Sequence, residues 1–477
     1  MNRRALPLAL LAVLPLVALA SLATAPAQPL PPSKTGQIPP KTWVDKDTGH
    51  RIWRLTDEPG SSGFYFNVNA YTPDLKQMIY TAPDGIHAMD LATRQSRLLV
   101  ANPPHAAGDR GGGVHAIIAG RITNSVFYTQ ADPATHVGTI YKVDVYTGKI
   151  LRFCDIPAGV SIATINADET LGAGTYNEKP ATDYGANRVN PPGVIPGPLV
   201  QPQNKGQMME ERLASRTPIV FFTIDIRTGK MFTLMHSTDW IGHMLFSPVD
   251  PTLLMYCHEG PWQKVDRIWM IHTDGTHNTL IHQRHIAMEI AGHEFWGLDG
   301  RTIWYDWQPI KGQDFYLAGY DLATGKRTAF HMDRNDWSIH FNLTKDLDLF
   351  TGDGGDPGQV ARAKDGEWIE LFHPEMIKLG DGVLNDPDFF QPGIFHSEHL
   401  VNMSHHNYRL EPNVRFSPDK SLVIFTSNMF GPAYVFGVEV AKAVNPAPGE
   451  VLSTPELGES LNPGTPPPTG APTPTTR

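Results

Sequence analysis

Three short segments of the chain carry side chains capable of acid–base chemistry, and each lies where an apolar run ends. The first contains His258 and Glu259, the second contains His293 and Glu294, and the third begins at His340. Imidazole exchanges a proton near neutral pH and is also a common metal ligand. A single histidine before a strand usually hydrogen-bonds a neighbouring carbonyl, so each segment alone has an ordinary structural explanation.

The repetition of the histidines favours a shared site over three separate coincidences. His258, His293 and His340 each fall at a corresponding place relative to successive turns of the repeat described below. We therefore expect all three to lie on one end of the molecule, near its axis.

Other residues of the same segments could complete such a site. Arg267 could hold an anion, or it could form a salt bridge with Asp266 or Glu259. Trp262 lies beside these residues and could stack on a sugar face, although packing inside the fold is the default for tryptophan. The same two interpretations apply to Trp296 and Trp337.

A repeated turn followed by a β-rich run predicts the elements that position these residues. Seven copies begin near residues 72, 119, 166, 247, 297, 344 and 417. Most are followed by an alternating strand that closes on an Asp-x-x-Thr-Gly-like turn, which is typical of the outer half of a propeller blade. The spacing is mostly about 47 to 49 residues, within the range of one blade. The sequence therefore predicts an all-β fold, a seven-bladed β-propeller over residues 41–444.

Two gaps in the repeat are long enough to hold insertions, at about 177–218 and 353–412. Long insertions in compact all-β folds are usually functional loops. The first contains a helix candidate at 207–214, and its charged residues could rim a cleft for an acidic oligomer or form an ordinary solvated helix. We also expect the strand near 43–55 to pair beside the C-terminal strands and close the ring.

The ends of the chain and its composition indicate an exported protein. Residues 1–27 have the charged start, apolar run and small-residue exit of a signal peptide. Residues 28–40 form a Pro-rich linker, and 445–477 form a Pro/Thr-rich tail expected to be disordered. We expect a periplasmic or secreted monomer without a membrane partner. The formal charge of −10 and the lack of a basic run exclude nucleic acid as a partner. Cys154 and Cys257 could pair, but two buried thiols are the simpler expectation.

The chemically capable segments resemble one known family, the oligogalacturonate lyases, which are polysaccharide lyases that fold as seven-bladed propellers. The resemblance covers most of residues 45–440. Its most specific pieces are TGHRIWRLTDEPGSS at 48, the Asn-x-Asn-Ala-x-Thr-Pro-Asp segment at 67, CHEGP at 257 and HEFW at 293.

The resemblance implies roles for two residues: His293 corresponds to the general base, and Arg267 to an arginine that assists it. β-Elimination removes the C5 proton of a uronate, and that proton is acidic only when the neighbouring carboxylate is neutralised. A neutral imidazole with a pKa of about 6.5 can accept it. His258, Glu259, Glu294 and Trp262 would then bind or orient the substrate.

The metal site is where the chain departs from the family. The family holds Mn(II) with a histidine corresponding to His340 and with a Gln-x-x-His-Pro-His segment, which here reads YRLEPN at 408–413. Glu411 and Asn413 replace the two histidines. A set of His340, Glu411, Asn413 and His406 would be rich in oxygen and could hold Mn(II), Ca(II) or Mg(II). Alternatively, no metal binds and these positions contact sugar hydroxyls.

We therefore expect a lyase that cleaves a pectin-type uronate oligomer. Two other classes stay open: a non-catalytic propeller that binds carbohydrate or protein, and a propeller glycoside hydrolase. In the hydrolase, Glu259 and Glu294 would be the acid–base pair.

Overall fold

The structure, a computed structural model, describes residues 38–103, 113–132, 134–135, 137–178, 205–380, 388–447 and 450. The predicted signal peptide, most of the predicted linker, the middle of the first insertion and nearly all of the C-terminal tail lie outside the described residues. Within them, none of the helices has the length and apolar character needed to cross a bilayer.

Strands dominate the chain. The first two are β1 (Thr42–Val44) and β2 (His50–Arg54). The next eight are β3 (Ser62–Gly63), β4 (Gln77–Ala82), β5 (Gly85–Asp90), β6 (Ser96–Ala101), β7 (Val114–Ala119), β8 (Ser125–Ala131), β9 (Gly138–Asp144) and β10 (Ile150–Ile156). Eight more follow: β11 (Ser161–Ile165), β12 (Leu171–Asn177), β13 (Ile219–Asp225), β14 (Met231–Ser237), β15 (Trp240–Phe246), β16 (Leu253–Glu259), β17 (Ile268–His272) and β18 (Thr279–Leu280).

The C-terminal half continues in the same manner. It contains β19 (Ile290–Trp296), β20 (Thr302–Gln308), β21 (Phe315–Asp321), β22 (Arg327–Met332), β23 (Phe341–Leu343), β24 (Phe350–Gly352), β25 (Trp368–Met376) and β26 (Phe390–Asn402). The last strands are β27 (Arg415–Phe416), β28 (Leu422–Ser427) and β29 (Tyr434–Lys442). The helices among the described residues are α1 (Lys205–Ser215) and a 3-10 helix, η1 (Arg334–Asp336). The predicted helix in the first insertion is thus confirmed.

The strands form successive antiparallel units in chain order, as a propeller requires. Four separate sheets have four strands each: β3–β6, β7–β10, β11–β14 and β15–β18. β19–β22 and β23–β26 are two further such units, and the parallel pairing of β22 with β26 joins them into one eight-stranded sheet. The remaining sheet has the order β1-β2-β29-β28-β27. Its β2–β29 pairing places the first strands beside the last, so the predicted pairing is confirmed.

A shared backbone hydrogen bond shows that these units are equivalent. In each, the turn before the second strand is closed by an N–H that donates to a carbonyl five or six residues later. The donors and acceptors are Thr72 and Gln77, Gly120 and Ser125, Asn166 and Leu171, Ser247 and Leu253, Gly297 and Thr302, Thr344 and Leu349, and Ser417 and Leu422, at 2.7–3.1 Å. These turns are the repeat found in the sequence.

The apolar core lies between neighbouring sheets. Most residues of β20 are buried on both faces, as expected where twisted sheets stack face to face. Cys154 and Cys257 are both buried and unpaired with each other, as the composition predicts.

Candidate functional site

The first strands of several units carry a β-bulge near the same point, and two of these bulges hold histidines. Register shifts occur between Gly242 and Leu245 in β15, and between Gly292 and Phe295 in β19. Within them, His243 has φ of 47° and His293 has φ of 49°. A bulge turns a side chain out of the regular alternation, so it re-aims these imidazoles.

Counting back four residues from each turn donor identifies the equivalent position in every unit. In four consecutive units it carries a polar residue: His243, His293, His340 and Asn413. In the other three it carries Val68, Ala116 and Ile162. At this position the polar residues therefore belong to four consecutive units, called the polar side below, and the apolar residues belong to the other three.

The prediction that His258 occupies this equivalent position was wrong. His258 belongs to β16, the second strand of its unit, and pairs with Ile241 across the β15–β16 ladder. The equivalent residue is His243, which the sequence reasoning missed although it lies four residues before Ser247.

His293 lies at the centre of the polar side. It is 5% exposed, and its ring makes edge contacts with Trp262 at 4.6 Å and with His340 at 4.9 Å between centroids. The structure thus brings together a predicted base, a predicted stacking residue and a predicted ligand.

The His340 ring is held in place by the buried carboxylate of Asp353. Asp353 Oδ2 lies 2.8 Å from Nδ1, and Tyr65 Oη lies 3.2 Å from Nε2. With the Nδ1 proton donated to Asp353, Nε2 accepts from the Tyr65 hydroxyl. Burial raises the pKa of Tyr65 well above its usual value, so Tyr65 stays protonated. Sequence reasoning missed Tyr65 and Asp353, because their approach to His340 depends on the tertiary fold.

Arg267 forms the buried electrostatic centre of the site. Its Nε donates to Glu294 Oε2 at 3.0 Å, and its Nη1 donates to Glu259 Oε2 at 3.0 Å. Asp266 instead pairs with Arg284. The salt-bridge interpretation of Arg267 is therefore observed, with two glutamates as partners, and Nη2 donates to none of the residues that the structure describes.

Both glutamates pair with the Arg267 guanidinium, and Glu259 also contacts His243. Glu259 Oε1 lies 2.9 Å from His243 Nε2. Burial alone would raise the pKa of Glu259, but Arg267 and His243 hold that pKa well below its usual range. Glu294 Oε1 and Trp262 Nε1 are buried without a hydrogen-bond partner in the described part of the chain. Such groups indicate a place where a substrate or water completes the network.

His258 lies at the rim. Its ring stacks on Trp269 at 5.1 Å, and Nδ1 lies 3.4 Å from Asp239. Burial lowers the pKa of His258, so it is mostly neutral at pH 7.

Helix α1 covers the same rim from the first insertion. The Arg212 guanidinium lies 3.8 Å from the Trp240 ring centroid, and Glu210 Oε2 accepts from Lys264 at 2.8 Å. Helix α1 thus contacts β15 through Trp240 and the segment after Trp262 through Lys264. Trp296 and Trp337 do not join the site, because their indole N–H groups donate to Leu245 and Asp306 inside the fold.

The predicted metal ligands are only partly brought together. Glu411 Oε2 lies 3.7 Å from His340 Nε2. The Asn413 side chain accepts from the Phe66 backbone and donates to the Glu411 carbonyl. The two His406 ring nitrogens contact Ser427 Oγ at 3.0 Å and the Leu410 carbonyl at 2.7 Å. Of the predicted ligands, the His340 imidazole and the Glu411 carboxylate then remain, which are too few for the predicted site. The residues as placed therefore do not fit Mn(II), Ca(II) or Mg(II).

Two other groups of potential ligands occur among the described residues. In the first, His243, Cys257 and Glu259 come within 4.8 Å of one another. There both Glu259 oxygens are already engaged and Arg267 places a positive charge beside them, which disfavours a second cation. The second group consists of Asp336, Glu370 and His399.

Comparison with known proteins gives one consistent result. A family model described as oligogalacturonate lyase matches residues 201–444, just over half of the chain. The oligogalacturonate lyase of Dickeya dadantii is 25% identical over 84% of this chain and 96% of its own length. The oligogalacturonide lyase of Pectobacterium atrosepticum is 27% identical over 46% of this chain, and that match spans 55% of the relative.

Solved structures extend the likeness to the fold. An oligogalacturonate lyase in complex with manganese superposes with a TM-score of 0.63 at 20% identity, over 87% of this chain and 99% of its own. The enzyme from Vibrio parahaemolyticus gives a TM-score of 0.64 at 21% identity, over 86% and 99%.

Proposed function

Because the chain belongs to the oligogalacturonate lyase family, we propose that it cleaves a galacturonate-type oligomer by β-elimination, with His293 as the base. The observation that carries this proposal is the position of His293. It lies on a bulge between Trp262 and His340, and the same Trp262 ring is 5.5 Å from the Arg267 guanidinium. A base, a cation and an aromatic surface therefore share one small region.

The Arg267 guanidinium addresses the main energetic difficulty of the reaction, which is the stabilisation of negative charge. Removing the C5 proton builds negative charge on the uronate carboxylate, and preorganised donors in a site shielded from water stabilise that charge most effectively. Glu259 and Glu294 fix the Arg267 guanidinium in place, and we assign Nη2 to the substrate carboxylate. Arg212 at the rim supplies a second positive charge for an adjacent uronate.

The departing C4 oxygen needs a proton donor, and Tyr65 is suited to give one. Its raised pKa keeps the hydroxyl protonated, and His340, held by Asp353, positions it by accepting its hydrogen bond at Nε2. As the C4–O bond breaks, the hydroxyl turns from Nε2 to the leaving oxygen and gives it the proton. These residues supply the base, the anion-stabilising cation and the acid without a metal-dependent step. An unsaturated uronate would be the product.

The geometry argues against the hydrolase alternative. A glycoside hydrolase needs a carboxylic acid that holds a proton near neutral pH. The pKa of Glu259 is held far below that range, and Glu294 pairs with the same Arg267. A binding module would need no such acid–base set, so the experiment below separates that class.

We also infer that the equivalent units make seven blades closed into one ring, in an exported monomer that acts on acidic oligosaccharides. The hydrogen bonds shared by the seven turns support this count.

The test is the near-ultraviolet absorbance of a C4–C5 double bond during incubation with oligogalacturonate, glucuronate and ulvan-type oligomers. We expect absorbance with oligogalacturonate and a fall of at least about 10²-fold in kcat for His293→Gln. His236→Gln is the matched control, because His236 is an exposed imidazole paired with Glu178. No absorbance with any oligomer, or full activity in His293→Gln, would refute the proposal.

A further inference from the structure

A second polar cluster lies outside the catalytic region, on the unit β23–β26. Asp336 ends η1, Glu370 lies in β25, and His399 lies in β26 directly opposite Glu370. One ligand atom from each lies within 4.8 Å of the others. The cluster shares no residue with the site around His293.

The buried carboxylate of Glu370 is the unusual feature of this cluster, because packing in an apolar interior does not explain it. Its side chain is 0% exposed, and neither carboxylate oxygen has a hydrogen-bond partner among the residues that the structure describes. His399 lies beside it, with Nε2 3.3 Å from Oε1. A buried carboxylate without hydrogen bonds is costly unless a cation or a proton compensates it.

The surroundings do not provide that cation from a side chain. The charges that act on Glu370 come from the carboxylates of Asp336 and Asp365, and both are negative. His399 is stacked on Trp368 at 4.3 Å, which fixes the ring and aims Nε2 at Glu370.

We propose that Asp336, Glu370 and His399 bind a divalent transition-metal ion of the Zn(II) or Mn(II) type. Two carboxylates and one imidazole form a mixed oxygen and nitrogen set that suits these ions. Ser397 Oγ donates to Asp336 Oδ2 at 2.8 Å and so orients that carboxylate, as outer partners of metal ligands do. Water would complete the coordination on the exposed side of His399.

The proposed ion has a structural role. Asp336 directly precedes the segment that leads through Trp337 to His340. Bound metal would tie this segment to the β25–β26 hairpin, while the reaction itself would not pass through it.

The test measures metal content and melting temperature, so it is independent of lyase activity. The full chain is treated with EDTA, and MnCl2 or ZnCl2 is then added and the excess removed by gel filtration. We expect the wild type to retain about one equivalent of either ion and to melt several degrees higher with it. Glu370→Gln should lose both effects. Glu375→Gln is the matched control, because Glu375 is an exposed carboxylate on the same strand, and it should keep both.

Without metal the order of stability should reverse. After EDTA, Glu370→Gln should melt at or above the wild type, because the amide removes the buried acid. If Glu370→Gln does not fold, His399→Gln replaces it, since His399 is 36% exposed; it should also lose the ion. Failure of the wild type to retain Mn(II) or Zn(II), or equal retention by the wild type and the variant, would overturn the proposal.

Discussion

Replacing Arg267 with methionine should destabilise the protein far more than losing a surface ion pair. The residue is 2% exposed, and it lies 3.0 Å from each of two glutamates that are themselves buried. Removing one partner of a buried pair leaves uncompensated charge and costs about 3–5 kcal/mol. We expect Arg267→Met to lower the free energy of unfolding by about that amount.

A compensated variant separates this loss from any catalytic role. Arg267→Met combined with Glu259→Gln and Glu294→Gln removes the stranded charges together with the cation. Replacing a whole buried ionic group is often close to neutral, so the triple variant should recover to within about 2 kcal/mol of the wild type. Its lyase activity should stay lost, because Nη2 no longer meets the substrate carboxylate.

Urea denaturation followed by circular dichroism measures these differences, with an unchanged slope showing that the same surface unfolds. Arg301→Met is the control, because Arg301 is 59% exposed and its partner Asp321 lies 3.1 Å away. An exposed pair contributes less than about 1 kcal/mol. If Arg267→Met costs no more than Arg301→Met, or if the triple variant is as unstable as the single one, the buried-charge reasoning is wrong.

Two further predictions concern the neighbouring elements. Tyr65→Phe should lower kcat about 10²-fold with little change in KM; it should also lower the free energy of unfolding by about 1–3 kcal/mol, because the buried Nε2 of His340 loses its donor. An unaltered kcat would exclude Tyr65 as the acid. The pKa of His406 is lowered by burial to about 4, against about 6.5 when unfolded. The unfolded chain therefore gains a proton first as pH falls, and His406 contributes about 3 kcal/mol above pH 6.5 that is lost towards pH 4. His406→Gln should flatten that part of the stability profile, and an unchanged slope between these pH values would contradict the assignment.

The turn repeat made the sheet order predictable, because each turn and its strand are local in sequence. The same repeat locates the equivalent polar positions, and His293 and His340 were found with it. His258 was misplaced because the CHEGP segment is conspicuous, whereas the correct residue lies in the ordinary stretch of β15. The bulge there adds a residue to the strand, so simple alternation does not show where His243 points.

The partners of these residues could not be predicted, because contacts between units depend on tertiary geometry. Glu259 and Glu294 lie on different sheets, yet one guanidinium joins them. The Asp336 cluster depends on a bulge between Ile369 and Glu370 and on the register of β25 against β26. From the sequence alone, Asn413 and His406 were candidate metal ligands. Only the structure shows that their side chains hydrogen-bond to backbone carbonyls.

The parallel pairing of β22 with β26 has a mechanical consequence for the proposed active site. It runs from Arg327 opposite Phe390 to His331 opposite Ile394. It joins the unit that carries His293 and the unit that carries His340 into one continuous sheet. Main-chain hydrogen bonds therefore resist hinging between these two units. Because the two units share these hydrogen bonds, opening of one unit should expose backbone amides of the other. We therefore expect the amides of both units to exchange hydrogen with solvent at similar rates, while the amides of the other sheets exchange at independent rates.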